Sequence, residues 1–355
     1  MTVFKVLVVD DSALFRTLLS NVLRGVPNCE VVGTASTGQA ALEKIIELQP
    51  DLVTLDMEMP EMDGMAVLQE LKRRRIRSKV IIVSRFTSAG AQITTDALLQ
   101  GAFDFILKPS SKDPSANRAE LQEALSEKIA GIRENTVNDA GSVLSSTPVP
   151  VKSEPKRRRT TKFEAVIIGC STGGPDALGQ VVPYLDPDFP VPVVIVQHMP
   201  EGFTGSLARR LDEASEISVV EASDGLVLKK GLAVVARGGR HLKLERKGIN
   251  QVVLRLTEDA HEHNCRPAVD YTLRSAVEAF DGQVLTVILT GMGRDGTEGA
   301  RLVRDQGGEV IAQDADGCVV FGMPKAVINA GQADSVVPLP QIAASINSIV
   351  CKTKR

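Results

Sequence analysis

Tryptophan is absent and aromatic residues make up only 3% of the chain, so any core must rest on Val, Ile, Leu and Ala. Cysteine is scarce as well. The five, at positions 29, 170, 265, 318 and 351, show no CxxC spacing, and one is left over after any pairing. That excludes a disulfide scaffold and a zinc site and suits a reducing cytoplasm. Charge of neither sign prevails: the net value is −3, which argues against general nucleic-acid binding. There is no run of about 18 apolar residues to span a membrane. The opening Met1-Thr2-Val3-Phe4-Lys5 leads directly into an apolar strand rather than a signal peptide. What the chain does have is 355 residues of which 43% are apolar, enough for two domains with sizeable cores.

The most informative stretch is Ile167-Ile168-Gly169-Cys170-Ser171-Thr172-Gly173-Gly174-Pro175. An apolar run from Ala165 reads as a buried strand, and Pro175 reads as the first position of a helix. Gly169-x-Ser171-x-Gly173 has the form of a nucleophile elbow, with Ser171 exposed at a strained turn and helix N–H groups aimed at the same point. A Gly-rich strand-to-helix turn also suits a phosphate, so this stretch alone leaves an elbow and a phosphate-cradling loop both open.

The first part of the chain alternates strands and helices. Lys5–Val9, Glu30–Ala35, Leu52–Leu55, Val80–Val83 and Phe103–Leu107 read as strands. Helices follow each, the first capped by Ser12 and the last covering about 119–133. Five such units imply a doubly wound parallel sheet. Asp10, Asp11, Asp56, Ser84 and Lys108 all follow carboxyl ends of strands, the edge where open parallel sheets bind ligands. Carboxylates gathered there repel unless a cation joins them, and Mg²⁺ suits a few carboxylates plus a phosphoryl oxygen. Taken singly, Asp10 or Asp11 also reads as a helix cap.

These residues, with Met59-Pro60-x-Met62-Asp63-Gly64 and Lys108-Pro109, make the first domain resemble a response-regulator receiver of the flavodoxin-like fold, a five-stranded parallel sheet. The resemblance implies Asp56 as phospho-acceptor and Mg²⁺ held by Asp11, Asp56 and the Glu58 carbonyl with Asp10 assisting. It implies Ser84 and Lys108 as phosphoryl sensors, Phe105 as an aromatic switch, and a cis Lys108–Pro109 bond. Residues 1–133 form this domain and 134–162 read as a linker, rich in Ser, Asn, Asp, Val and Pro. Its Lys156-Arg157-Arg158-Arg159 run can dock on an acidic partner, though a solvated charge run is the simpler reading.

Residues 163–355 form a second doubly wound α/β unit in the same grammar. Ser171 follows one apolar strand, His198 follows Val191–Gln197, and Asp295 follows Val284–Thr290 within Gly291-Met292-Gly293-Arg294-Asp295-Gly296. A nucleophile, a base and a carboxylate thus share one sheet edge, as acyl-transfer hydrolysis requires. The order Ser, His, Asp differs from that of α/β-hydrolases. Of the other histidines, His241 reads as part of a Gly-rich turn. His261 and His263 read as exposed in an acidic loop; as metal ligands they lack a Cys or His partner at suitable spacing. Glu201 reads as a turn cap, and Asp270 as first-turn residue of a Val269–Phe280 helix, an alternative third member. The Gly neighbours of Met292 suggest that its N–H approaches a ligand.

The runs Ser171-Thr172-Gly173-Gly174, Gln197-His198-Met199-Pro200, Arg266-Pro267-Ala268-Val269-Asp270, Leu289–Gly296 and Val320-Phe321-Gly322-Met323-Pro324 resemble the catalytic domain of chemotaxis protein-glutamate methylesterases. The resemblance spans nearly the whole chain. It implies Ser171 as nucleophile, His198 as base, Asp295 as orienting carboxylate, and the N–H groups of Thr172 and Met292 as oxyanion hole, with no cofactor for hydrolysis. It implies a phosphorylation-activated, cytoplasmic enzyme, neither membrane-inserted nor nucleic-acid-binding, that demethylates γ-glutamyl esters and deamidates glutamines of chemoreceptors. The phosphodonor would be a chemotaxis histidine kinase. Three departures stand out: Cys170 for a common Ala, with a thiol that can make the enzyme oxidant-sensitive; Cys265 for a common His; and Arg237 for a common Pro. Two other classes stay open on the residues alone. One is a receiver fused to a nucleotide-binding domain, although Gln197-His198 stands where an acidic ribose ligand is expected. The other is a non-catalytic phosphorylation-dependent binding module.

Overall fold

The computed structural model describes residues 3–141, 162–248 and 251–351, which fall into two units, Met1–Glu134 and Asn135–Arg355. The first unit runs β1 (Phe4–Val9), α1 (Ala13–Arg24), β2 (Cys29–Ala35), α2 (Gly38–Leu48), β3 (Leu52–Asp56), α3 (Gly64–Arg73), β4 (Lys79–Ser84), α4 (Ser88–Leu99), β5 (Asp104–Leu107) and α5 (Pro114–Gly141). All five strands are parallel, in the order β2-β1-β3-β4-β5. A sheet covered by helices on both faces buries both sides of its central strands, so Val6–Val9 of β1 and all of β3 are buried without alternation. Ser12, Thr37, Asp63 and Thr87 each cap a helix by accepting a first-turn N–H.

Two expectations for this unit change. The last helix starts earlier and runs further than its apolar face suggests, passing through Gly131 without a break. The first part of the expected linker is therefore helical, while 142–161, including Lys156–Arg159, lies outside the described residues. The Lys108–Pro109 bond is trans; among the described residues the cis peptide is Arg266–Pro267. An X–Pro amide has so small a preference between isomers that its neighbours decide it, and the motif carries no information about them.

The second unit runs β6 (Ala165–Cys170), α6 (Gly174–Val181), β7 (Val193–Gln197), α7 (Phe203–Ala214), β8 (Ser218–Glu221), β9 (Leu232–Val235), β10 (His241–Lys247), β11 (Gln251–Thr257), α8 (Val269–Ala279), β12 (Val284–Ile288), α9 (Thr297–Asp305), β13 (Glu309–Gln313), α10 (Met323–Asn329), β14 (Ser335–Val337) and α11 (Leu339–Val350). Seven parallel strands lie in the order β14-β13-β12-β6-β7-β9-β8, and β10 and β11 form a separate antiparallel hairpin. The chain starts at β6, builds outward on the β7 side, then returns to build outward from β12. The sheet order thus reverses beside β6, which opens a crevice at the carboxyl ends of β12, β6 and β7. The core between sheet and helices is aliphatic, from Ile167, Val194 and Val196 to Leu273 and Ile288, as the dearth of aromatics requires.

Candidate active site

At the carboxyl edge of the first sheet, Asp10 and Asp56 are buried and Asp11 is exposed. Their carboxylate oxygens lie within 4.8 Å of one another. Lys108 Nζ enters from β5 and pairs with Asp56 Oδ2 at 2.6 Å and Asp10 Oδ2 at 2.7 Å. Burial lowers the Lys108 pKa, but the two carboxylate bonds outweigh it and the net shift is upward. Burial likewise pushes the Asp10 carboxyl up, against the pull of Lys108. Ser84 is buried, and its Oγ accepts from Thr94 Oγ1 at 2.7 Å. Phe105 is buried on β5, opposite Ile82 of β4. The Glu58 N–H donates to Asp56 Oδ1 at 3.2 Å, and its side chain pairs with Arg85. Three hard oxygen donors around one point fit Mg²⁺.

In the second unit the register of β6 and β7 pairs Cys170 with Gln197, so Ser171 and His198 leave adjacent strand ends together. The His198 N–H donates to Cys170 O at 3.2 Å, which ties the two exits. Gln197 Nε2 donates to Ser171 O at 3.0 Å and His198 O at 3.2 Å, fixing both backbones. On the other flank of β6, the loop after β12 approaches so closely that a Cβ on Gly291 would lie 2.8 Å from Ser171 Cβ. Met292 follows in that loop. Gly173, with φ of 76°, turns the chain into α6 in a conformation that disfavours a side chain.

His198 Nε2 and Asp295 Oδ2 are 2.7 Å apart. With Nε2–H donated to Asp295, Nδ1 is the ring nitrogen that can accept a proton. Ser171 Oγ makes no hydrogen bond among the described residues; bonds of this kind commonly tighten only when substrate arrives.

Asp295 is held by more than His198. Its carboxylate accepts the N–H groups of Val269 at 2.6 Å and Asp270 at 2.8 Å, the first turn of α8, and of Gly296 at 2.9 Å. Neither α8 nor α9 is capped by its own N-cap side chain. Asp295, just ahead of α9, caps α8; Asp270, in α8, accepts the Gly299 N–H of α9 at 2.7 Å. The two helices cap each other. Burial works to raise the Asp295 pKa, but His198 and the N–H donors prevail and hold it below the usual carboxylate value. For His198, burial disfavours the charged ring, but Asp295 and the neighbouring Cys265 sulfur, which favour the charged ring, push its pKa up to about 10.

Several expectations are corrected here. His263 is not simply exposed: its Nε2 lies 2.9 Å from Asp270 Oδ2. His241 is not a turn residue but the buried first residue of β10, stacked on Tyr271. Glu201 pairs with Arg237 at 3.0 Å rather than capping the turn after Pro200. Cys265 contacts the His198 ring, so its place near the site is direct. The one available signal for His263 was its acidic surroundings in sequence, which read equally well as a solvated loop.

Cys170 is fully buried and its thiol is pushed up by burial, so the expected oxidant sensitivity does not follow at that position. Iodoacetamide applied to the native protein should leave the Cys170 peptide unlabelled and label it only after denaturation; peptide mass spectrometry checks this.

The CheB methylesterase family matches residues 166–346, and the response regulator receiver domain family matches residues 6–120. A protein-glutamate methylesterase/protein-glutamine glutaminase of Desulfotalea psychrophila is 42% identical over 354 residues, covering 96% of this chain and 97% of its own. One of Thermotoga maritima is 44% identical, covering 98% and 99%. The crystal structure of the Thermotoga maritima CheB methylesterase catalytic domain is 48% identical and covers 53% of this chain and 100% of its own, with a TM-score of 0.52.

Proposed function

The chain belongs to the protein-glutamate methylesterase/protein-glutamine glutaminase family, a receiver joined to a CheB methylesterase domain, and from that premise we propose that Ser171, His198 and Asp295 hydrolyse γ-glutamyl methyl esters on chemoreceptors. The observation that carries these roles is the 2.7 Å His198–Asp295 bond at the sheet edge where Ser171 emerges. His198 Nδ1 takes the Ser171 proton as Oγ attacks the ester carbonyl. The developing oxyanion is held by the N–H groups of Thr172, which follows the nucleophile, and Met292, in the loop pressed against it. The imidazolium, held by Asp295, returns its proton to the departing methoxide, and methanol leaves. Water then repeats the sequence on the acyl-enzyme and frees glutamate and Ser171. A glutamine amide passes through the same intermediate, with ammonia as leaving group.

In the receiver, Asp56 accepts a phosphoryl group from a histidine kinase, and Ser84, Lys108 and Phe105 respond to it. Asp10, Asp11, Asp56 and the Glu58 carbonyl would hold Mg²⁺, which supplies positive charge for the incoming phosphoryl oxygens. The setting is the cytoplasm, consistent with free cysteines; among the described residues no helix is long and apolar enough to cross a membrane.

Methanol release from methylated receptor membranes tests this. A small phosphodonor with Mg²⁺ should raise the wild-type rate about tenfold, within the usual range of coupling between sites. The Asp56→Ala enzyme should stay at the basal rate. Equal rates for the phosphorylated wild type and Asp56→Ala would remove the switch, and no release from either would remove the substrate.

A further inference from the structure

One group beside the Ser171, His198 and Asp295 site has no part in the steps above. Glu262-His263-Asn264-Cys265 is a tight turn, closed by the Glu262 N–H to Cys265 O at 3.1 Å and the Cys265 N–H to Glu262 O at 2.9 Å. Its central residues have φ of 52° and 58°, the left-handed values of a type I′ turn. The turn aims His263 at two carboxylates: Nε2 lies 2.9 Å from Asp270 Oδ2 and 3.7 Å from Asp295 Oδ1. Asp270 and Asp295 are each only 1% exposed.

Two buried carboxylates side by side stay ionised only with enough donors or cations around them. Asp295 has three N–H donors and His198. The bonds to the Asp270 carboxylate are one N–H, from Gly299, and His263. Burial and the Asp295 charge push the Asp270 carboxyl up, and the Gly299 N–H and then the His263 bond pull against them. The other charged groups nearby are committed. Glu262 and Arg274 form a two-bond pair at 2.6 and 2.8 Å, Glu298 at the head of α9 pairs with Arg301 at 3.2 Å, and Cys265 contacts His198. Arg274 also contributes charge toward Asp270 from one turn further along α8, without a bond to it.

We propose that His263 is a positioning residue for the hydrolysis: by donating to Asp270 it keeps that carboxyl an acceptor, and so leaves Asp295 free to orient His198. The inference rests on the roles assigned above to Ser171, His198 and Asp295. Were Asp270 to take up a proton, its O–H would become a donor beside Asp295 and compete with His198 for it. The reciprocal capping of α8 and α9 would weaken at the same time.

The experiment uses the full chain and compares wild type, His263→Ala and His263→Gln. In His263→Ala, kcat/KM for methyl-ester hydrolysis should fall about tenfold near neutral pH and recover to within about threefold in the alkaline range, because Asp270 there loses its proton again. Its acid limb should be steeper, with a second ionisation added to that of His198. His263→Gln, which donates without ionising, should lie between the two. A loss equal at all pH values, or no loss, overturns the proposal. Carboxyl ¹³C NMR, assigned with Asp270→Asn, gives a readout apart from activity: the Asp270 titration should move up by about one unit or more in His263→Ala. An unmoved midpoint overturns the proposal as well. If wild-type hydrolysis fails to depend on Ser171, the functional assignment falls, while the NMR titration still decides the His263–Asp270 link.

Discussion

Ser171→Ala should lower kcat for ester hydrolysis on the order of 10⁴- to 10⁶-fold and leave both KM and the melting temperature near wild type. The local structure around Ser171 is carried by its main chain. Its N–H donates to Thr290 O at 3.0 Å, and its carbonyl accepts the Gly174 N–H at 2.7 Å and Gln197 Nε2 at 3.0 Å. Alanine keeps all three. The Oγ is bonded to nothing among the described residues, so its removal leaves no buried partner unsatisfied. The melting temperature should therefore move by no more than about 2 °C. What disappears is the atom that forms the acyl-enzyme, and the Thr172 and Met292 N–H groups can supply only the residual rate of an oxyanion hole without a nucleophile. Steady-state methanol release and calorimetry on the same preparations check both halves. Retention of more than about a hundredth of the activity would remove Ser171 from the nucleophile's role.

Asp295→Asn should cost about 10⁴-fold in kcat, and, unlike the serine variant, should also destabilise the domain. An amide in place of the carboxylate points a donor at a donor whichever way it is turned: at the Val269 N–H in the place of Oδ2, or at the Asp270 and Gly296 N–H groups in the place of Oδ1. It also removes a negative charge from two helix N-termini at once. The pH dependence of the difference follows from the two shifts. The His198 pKa is raised to about 10, so its stabilisation is fully present below the unfolded imidazole value and is lost as pH climbs through the folded one. The Asp295 pKa is lowered, so its stabilisation is present above the unfolded carboxyl value and is lost as pH falls through the folded one. The stability gap between wild type and variant should be widest between about pH 4 and 6.5, the two unfolded values, and narrow toward alkaline pH. In the wild type the base form of His198 accumulates only as pH rises, so kcat should climb through the alkaline range. In the variant the imidazole titrates lower, and the residual rate should level off earlier. Denaturant titrations across pH and the His198 ring-proton NMR titration measure these effects; an unmoved His198 midpoint would contradict the assigned pairing.

The first sheet and the central strands β6, β7 and β12 of the second were legible in the residues because parallel strands buried on two faces are short unbroken apolar runs, as in Val6–Val9 and Val193–Val196. The gathering of polar residues at the sheet edges was legible too. In an open parallel sheet, polar residues directly after such runs must gather at one edge, and Asp10, Asp56, Lys108, Ser171, His198 and Asp295 all do. The β10–β11 hairpin was not legible: it is separate from both parallel sheets, and Gly238-Gly239 reads as a turn without showing that a strand starts at His241.

The sequence by itself thus determined the two α/β units and which polar side chains stand at the carboxyl ends of their strands, because strand periodicity and strand-end position are local properties. Only the tertiary structure decided what holds Asp295. Its bonds to α8, the return bond from Gly299 to Asp270, and the reach of His263 into that pair depend on how two helices and a tight turn meet. No pattern along the chain encodes such a meeting, since each partner read alone is an ordinary first-turn acid, an uncapped helix start or a polar loop histidine. The burial that makes these contacts matter comes from packing, and packing also buries Cys170 beside Ser171.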